Sequence, residues 1–180
     1  MRTLIIDFNN EKIVTTTYLN IILCFRKLAN DLEFYVYTIK DPDCYKVAEA
    51  LELILQVITL YSPDKIFFEH VYLPFIYLKM ALYSLRTMLI INKYNVISLE
   101  PFTKYIGYEN DAMLRTNFNN SISYLKFVDD DITYSKVHRF VYSETKKMFI
   151  NSNENNKTHD LINAALMIKY VESEDESNFN

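Results

Sequence analysis

A single glycine, Gly107, serves all 180 residues of the chain. Glycine reaches positive φ without steric cost, and phosphate-cradling loops, dinucleotide fingerprints and turn-dense all-β repeats depend on it. Those folds are excluded, and so is a collagen helix. The remaining composition favours a packed domain. Half the residues are hydrophobic and 15% are aromatic, with 15 Tyr and 12 Phe. Such a chain buries a sizeable core, so overall disorder is excluded. The length suits one domain, and the 23% of charged residues is ordinary.

Two cysteines, Cys24 and Cys44, make neither a disulfide framework nor a zinc cluster. An intracellular, reducing compartment is the expectation. The start, MRTLIIDFNN, is too short and polar for a signal peptide. No uncharged apolar run reaches the roughly 18 residues of a membrane helix, so no membrane partner is expected. The net charge is −4. Glu172, Glu174, Asp175 and Glu176 crowd the C-terminal end, and without them the chain is balanced at 19 residues of each sign. The balance argues only weakly against nucleic acid.

TLIIDF at 3–8 reads as a buried strand. EKIVTTTYL at 11–19 pairs with it through an Asn9-Asn10 turn, and LEFYVYTIK at 32–40 makes a third strand. Pro42 opens a helix with apolar residues at 47, 50, 51, 54, 55 and 58, the spacing of one helical face. Ser62-Pro63-Asp64 stops it. KIFFEH follows as a short strand, then a helix over about 74–92, then NVISLEP as a strand at 95–101. Strands alternating with helices predict an α/β fold with at least part of its sheet parallel. PFTKYIG at 101–107 suggests a short helix. Asp129, Asp130 and Asp131 suit a helix N-terminus. In the segment after them, Tyr134, Val137, Val141 and Met148 share a helical face. NSNENNK at 151–157 reads as a loop. Thr158 or Asp160 caps a last helix, LINAALMIKYV. The expected organisation is one domain over 1–171, with a polar insertion at about 108–135 and an acidic flexible tail at 172–180.

Three acids hold special places. Asp7 ends the first strand, Glu69 ends the strand after the long helix, and Asp160 begins the last helix. Strand ends of an open α/β sheet gather at one edge, where ligands bind. Taken singly, a strand-terminal Asp is commonly a turn residue, and Asp160 is commonly a helix cap. Glu69 is harder to dismiss, because it follows Ile66-Phe67-Phe68, a run expected to be buried. Carboxylates converging without an Arg or Lys partner repel one another, and a divalent cation compensates them. Hard oxygen ligands favour Mg²⁺ or Mn²⁺. Two such ions about 4 Å apart suit phosphodiester hydrolysis.

With those acids in order, the sequence resembles the RuvC-type Holliday-junction resolvases of the RNase H-like superfamily. LIIDFN resembles the first strand with its metal-binding Asp. PDKIFFEH resembles the strand bearing the metal-binding Glu. NVISLEPFTKYIGYENDA resembles the strand that leads through Pro into a short helix, with a Lys three residues on. THDLINAALMIKY resembles the final helix with its pair of ligands three residues apart. The likeness implies an RNase H-like fold, a mixed central sheet with helices on both faces. It implies Asp7, Glu69, Asp160 and Asn163 as ligands for two Mg²⁺ or Mn²⁺ ions per site, with His159 as a further ligand or base. Asn163 stands where a carboxylate is usual, and Asn9 stands where the family tends to have Gly. The Asn-, Ile-, Tyr- and Lys-rich composition suits a diverged, viral member.

The function implied is a structure-selective DNA endonuclease that resolves four-way or other branched junctions without an organic cofactor. The alternatives are a catalytically inactive binding or assembly subunit of the same fold and a related nuclease acting on RNA–DNA hybrids or in transposition. Lys104 matches the family's Lys after Pro101 and is the candidate phosphate contact. Tyr72 and Phe75 follow Glu69 where the family approaches the junction centre, and an aromatic there stacks on a base. Lys136, Arg139, Lys146 and Lys147 form a second basic cluster, whose plainer reading is a solvated face. The helix at 74–92 is apolar on more than one face. The resemblance implies a homodimer formed around it, with two active sites on one symmetric junction.

Overall fold

The computed structural model describes residues 1–69, 75–99, 137–146, 148–149 and 161–177. Three long strands come first: β1 (Thr3–Ile13), β2 (Thr16–Leu28) and β3 (Asp31–Lys40). Then come α1 (Cys44–Tyr61), β4 (Lys65–Glu69), α2 (Ile76–Ile91) and β5 (Val96–Leu99). The described chain ends with β6 (Val137–Ser143), β7 (Met148–Phe149) and α3 (Ile162–Ser177). Among the described residues the strands form one seven-stranded sheet in the order β5-β4-β1-β2-β3-β6-β7. β4 and β5 run parallel to β1, and the remaining neighbours pair antiparallel.

Alternation along the strands sends successive side chains to opposite faces. Leu4, Ile6, Phe8, Ile21, Leu23 and Phe68 pack with α1 and α2. Ile5, Ile22, Cys24, Phe34, Val36 and Phe67 pack with α3. Helices therefore cover both faces of a mixed sheet, as expected from the sequence.

The helix ends show how the chain manages with one glycine. Pro42 precedes α1, and the Asp43 side chain accepts the Lys46 backbone N–H at 2.9 Å, satisfying a first-turn donor. The helix stops at Ser62, which takes the left-handed conformation at φ 50° and donates its N–H to the Ile58 carbonyl at 2.8 Å. Pro63 follows and forbids continuation. Val14, Asp41 and Lys93 also have positive φ. Turns that glycine would relieve fall here on residues with a Cβ, each at a cost of about 1 kcal/mol.

Four expectations need correction. β1 does not end at Asp7 or turn at Asn9-Asn10. It continues to Ile13, Asn9 pairs with Asn20, and the turn falls at Val14-Thr15. The Asn9 side chain finds its partner across the ladder and has no need of a turn. β2 takes in NIILCFRKL, beyond the segment expected at 11–19. The helix read through Val137 and Val141 is instead β6, a short turn and β7. Its β-branched and aromatic residues fit both periods, and the open edge of β3 selects the strand. The acidic end expected as a tail from 172 is helical through Ser177, because Glu172 is held by Arg26. The readings at 101–107, Asp129, Asp130 and Asp131, 151–157 and Thr158 lie outside the described residues.

Both cysteines are free thiols, Cys24 buried and Cys44 exposed. Burial pushes the Cys24 thiol well above its usual range, and Glu172 adds to this, so it packs as a small apolar group. Among the described residues, no helix is long and apolar enough to cross a membrane.

Candidate functional site

Parallel register brings the two acids from β1 and β4 together. Ile6 pairs with Phe68, so Asp7 and Glu69 follow side by side on adjacent strands. Strands lie about 4.8 Å apart. Both acids share the parity of Ile5 and Phe67 and so belong to the α3 face. Asp7 is 3% exposed and Glu69 is 7% exposed. Asp7 Oδ1 accepts the Phe8 backbone N–H at 3.0 Å. Negative charges this close repel one another, and a cation between them offsets the repulsion.

The same face carries more polar groups beyond this pair. Asn20 lies opposite Asn9, and Thr38 lies opposite Asn20. Thr38 Oγ1 donates to Asn20 Oδ1 at 2.9 Å, and Asn20 Nδ2 donates to Asn9 Oδ1 at 2.9 Å. Asn20 and Thr38 are each 1% exposed. The α3 face is thus apolar through Ile5, Ile22 and Val36, then polar from Asp7 outward. Sequence reasoning missed Asn20 and Thr38 and read Asn9 as a turn residue. The available signal was Asn20 itself, one amide interrupting the apolar run YLNIILCF.

α3 packs against β1 and β2 on this face. Near its far end, Glu172 takes a side-on pair from Arg26, with Nε to Oε1 and Nη2 to Oε2 both at 2.8 Å. Arg26 lies one residue past the Leu4–Phe25 pair, level with Thr3. From Thr3 to Asp7 the strand advances about 13 Å. From Glu172 back to Asn163 the helix advances about 13.5 Å. Leu161, Ala164 and Ala165 are buried against the sheet, and Asn163 beside them is half-buried. Small alanines at this turn let the helix approach β1 closely.

The other candidates are distributed as follows. Asp160, His159, Lys104, Tyr72, Lys136 and Lys147 lie outside the described residues. Phe75 precedes α2 and packs on the α1/α2 core, edge to face with Tyr77 at 6.0 Å. Arg139 pairs with Tyr35 across the sheet, and its Nε donates to Glu33 Oε1. Tyr35 belongs to the α1/α2 face, so Arg139 stands on the opposite side of the sheet from Asp7 and Glu69. Lys146 is exposed in the turn after β6, where its backbone N–H donates to Ser143 Oγ at 3.2 Å.

The acidic donors that the strands bring together here are all oxygen, the buried carboxylates of Asp7 and Glu69. That chemistry fits a hard divalent cation. Among the described residues alone, no group of three or more His, Cys, Asp or Glu gathers closely enough to hold a metal. The third acid of the expected set, Asp160, is outside them.

No protein-family model matches the chain, and no curated protein matches it significantly. Solved structures similar to it include RuvC of Thermus thermophilus, at 16% identity and TM-score 0.37, covering 58% of this chain and 66% of that one. Another is T. thermophilus RuvC in complex with a Holliday junction substrate, at 13% identity and TM-score 0.42, covering 64% of this chain and 77% of that one. A third is a chain of the simian T-cell lymphotropic virus intasome in complex with PP2A regulatory subunit B56 gamma, at 16% identity and TM-score 0.31, covering 67% and 41%. The chain spans just under two thirds of the first of these structures. What the chain itself shows is an α/β fold, one mixed sheet covered by helices on both faces.

Proposed function

We propose that the chain is a structure-selective DNA endonuclease that cleaves four-way or other branched junctions by divalent-metal-dependent phosphodiester hydrolysis. The observation that carries this reading is that Asp7 and Glu69 are buried on adjacent parallel strands, on the sheet face that α3 covers. Asp7 and Glu69 would hold the cations, Asp160 and the Asn163 carbonyl would complete the set, and His159 would serve beside them as a base or ligand. Bound there, the cations supply Lewis acidity that acidifies a water and steadies the departing oxygen. Asp7, deep in the β1 ladder, fixes the geometry. Glu69, at the end of its strand, faces the substrate side. Lys104, Lys136 and Lys147 supply phosphate contacts and Tyr72 a stacking surface.

A homodimer belongs to the same reading. α2 exposes Ile76, Tyr83, Ile90 and Ile91, large apolar groups that a second copy would cover. Two sites related by a two-fold axis suit a symmetric junction.

The test is cleavage of a labelled four-way junction in Mg²⁺ by the wild type and by Asp7→Asn. The variant is expected to lose at least about 100-fold in rate while remaining folded. Undiminished cleavage rules out the site. The alternative, a non-catalytic binding or assembly subunit, is favoured by Asn163, which adds no charge where a carboxylate is usual. Thermal melting across a Mg²⁺ titration separates the two readings. A working site gains about 2.7 kcal/mol at 100 times Kd, and a dead scaffold gains nothing.

A further inference from the structure

The relay from Thr38 through Asn20 to Asn9 has a direction. Thr38 gives its hydroxyl proton to Asn20 Oδ1, so Asn20 must turn its Nδ2 toward Asn9. Asn9 receives with Oδ1, which leaves its own Nδ2 group facing away from the relay. Among the described residues that group has no hydrogen-bond partner. Asn9 is two residues beyond Asp7 on the same strand and therefore on the same face. It is half-buried, whereas Asn20 and Thr38 behind it are closed off from water. Three polar residues in a row across three strands is a costly way to fill a sheet face that is otherwise Ile, Val and Phe. An apolar trio would fill the space at no such cost. The relay makes physical sense as a device that holds one amide in one orientation at the rim of the acid pair.

We infer that Asn9 is a substrate-binding residue of the proposed site, its Nδ2 group donating to a non-bridging phosphate oxygen of the nucleic-acid strand. Asn20 and Thr38 are positioning residues that fix the amide. The inference rests on the nuclease reading above. An amide donor suits this position because it binds an anionic oxygen without adding a cation that would compete with the metal for Asp7. It also replaces part of the phosphate's lost hydration next to two buried carboxylates, where a bare anion is repelled.

The test measures four-way-junction affinity in Ca²⁺ and cleavage in Mg²⁺, using the full chain. Asn9→Asp keeps the oxygen that accepts from Asn20 and replaces the outward donor by an acceptor. The fold is retained, and Kd and KM are expected to rise at least about tenfold. Asn9→Leu, which is neutral, separates the lost donor from the added charge and is expected to raise Kd about tenfold as well. Asn20→Asp reverses the relay, so that Asn9 must turn its amide nitrogen inward. It reproduces the loss, and lowering the pH restores binding as the new carboxyl regains a proton to donate. A purely structural row would instead lower the melting temperature and leave Kd, KM and the pH profile unmoved. Unchanged affinity in Asn9→Leu overturns the inference while the nuclease reading stands. If Asn20→Asp fails to fold, the two Asn9 variants decide. A wild type that neither binds nor cleaves junctions overturns both.

Discussion

The two faces of the sheet are built by the same strands and end up chemically different. On one face, β1, β2 and β4 alternate into a continuous apolar layer under α1 and α2, from Leu4 and Leu23 out to Phe8 and Leu19. On the other, the layer under α3 is apolar only through Ile5, Ile22 and Val36. It then gives way to Asp7, Glu69, Asn9, Asn20 and Thr38. Two helices close the first face, and one helix covers the described part of the second. The difference teaches where a fold of this size can place buried polar chemistry. One face supplies the stability that the other spends on carboxylates and amides.

Adjacent residues of β4 offer the strongest test of that division. Phe68 is 1% exposed and stacks on Phe8, with ring centroids 6.0 Å apart, in the α1/α2 layer. Phe67 points the opposite way, toward α3. Phe68→Ala is expected to cost about 4 kcal/mol, because two packed helices cannot collapse into the cavity. Phe67→Ala is expected to cost about 3 kcal/mol, since a single helix relaxes more readily. Urea denaturation of both variants measures the difference. A reversed order would break the comparison of the faces.

The sequence made the first face easier to read than the second. Apolar spacing in CYKVAEALELILQVITLY marks α1, and of the residues it selects, Val47, Ala50, Leu51, Ile54 and Ile58 are buried and Leu55 is half-buried. Asp7 and Glu69 were legible as strand-borne acids because each follows a buried apolar run. The polar row was not legible. Whether Asn9, Asn20 and Thr38 meet depends on register, and register depends on where the β1–β2 turn falls. With the turn read at Asn9-Asn10, the pairing of Asn9 with Asn20 disappears. The turn is instead at Val14, a β-branched residue at φ 57° that no turn propensity would select. β6 was missed for a related reason. Its pattern fits either period, and only the free edge of β3 decides.

The faces also differ in how they are closed at the N-terminal end of β1. On the α3 side the closure is ionic. Arg26 bridges Glu172 of α3 and Glu144 of the turn after β6, the latter at 3.2 Å. These partners hold the guanidinium in its charged form, the hydrogen bond to Glu172 most of all. The groups are partly exposed, so water screens them. Arg26→Met is expected to cost about 1 kcal/mol in dilute buffer. The loss should shrink in about 1 M salt, where exposed charges are screened within a few Å. Melting curves at two salt concentrations check it. A loss independent of salt would mean that the Arg26 stem, rather than its charge, anchors α3.

On the α1 side the same end is closed by stacked rings. Phe25 lies 3.9 Å from Tyr61 and 5.7 Å from Tyr35, centroid to centroid, with interplanar angles of 30° and 17°. Burial pushes the Tyr61 hydroxyl from its usual 10 up to about 12, and Arg2 beside it pulls the other way. A raised pKa means that the folded protein keeps this proton while the unfolded chain releases it. The stabilisation is complete below pH 10 and is lost as pH rises toward 12. Tyr61 is only half-buried, so solvent screening holds the effect below about 1 kcal/mol. Tyr61→Phe keeps the stack and removes the titration. Its stability relative to the wild type should therefore be constant to about pH 9 and rise by about pH 11. Arg26→Met leaves the Tyr61 ring and hydroxyl in place and should show no such alkaline divergence. Parallel alkaline curves for Tyr61→Phe and the wild type would show that the ring, and not its hydroxyl, is what closes this face.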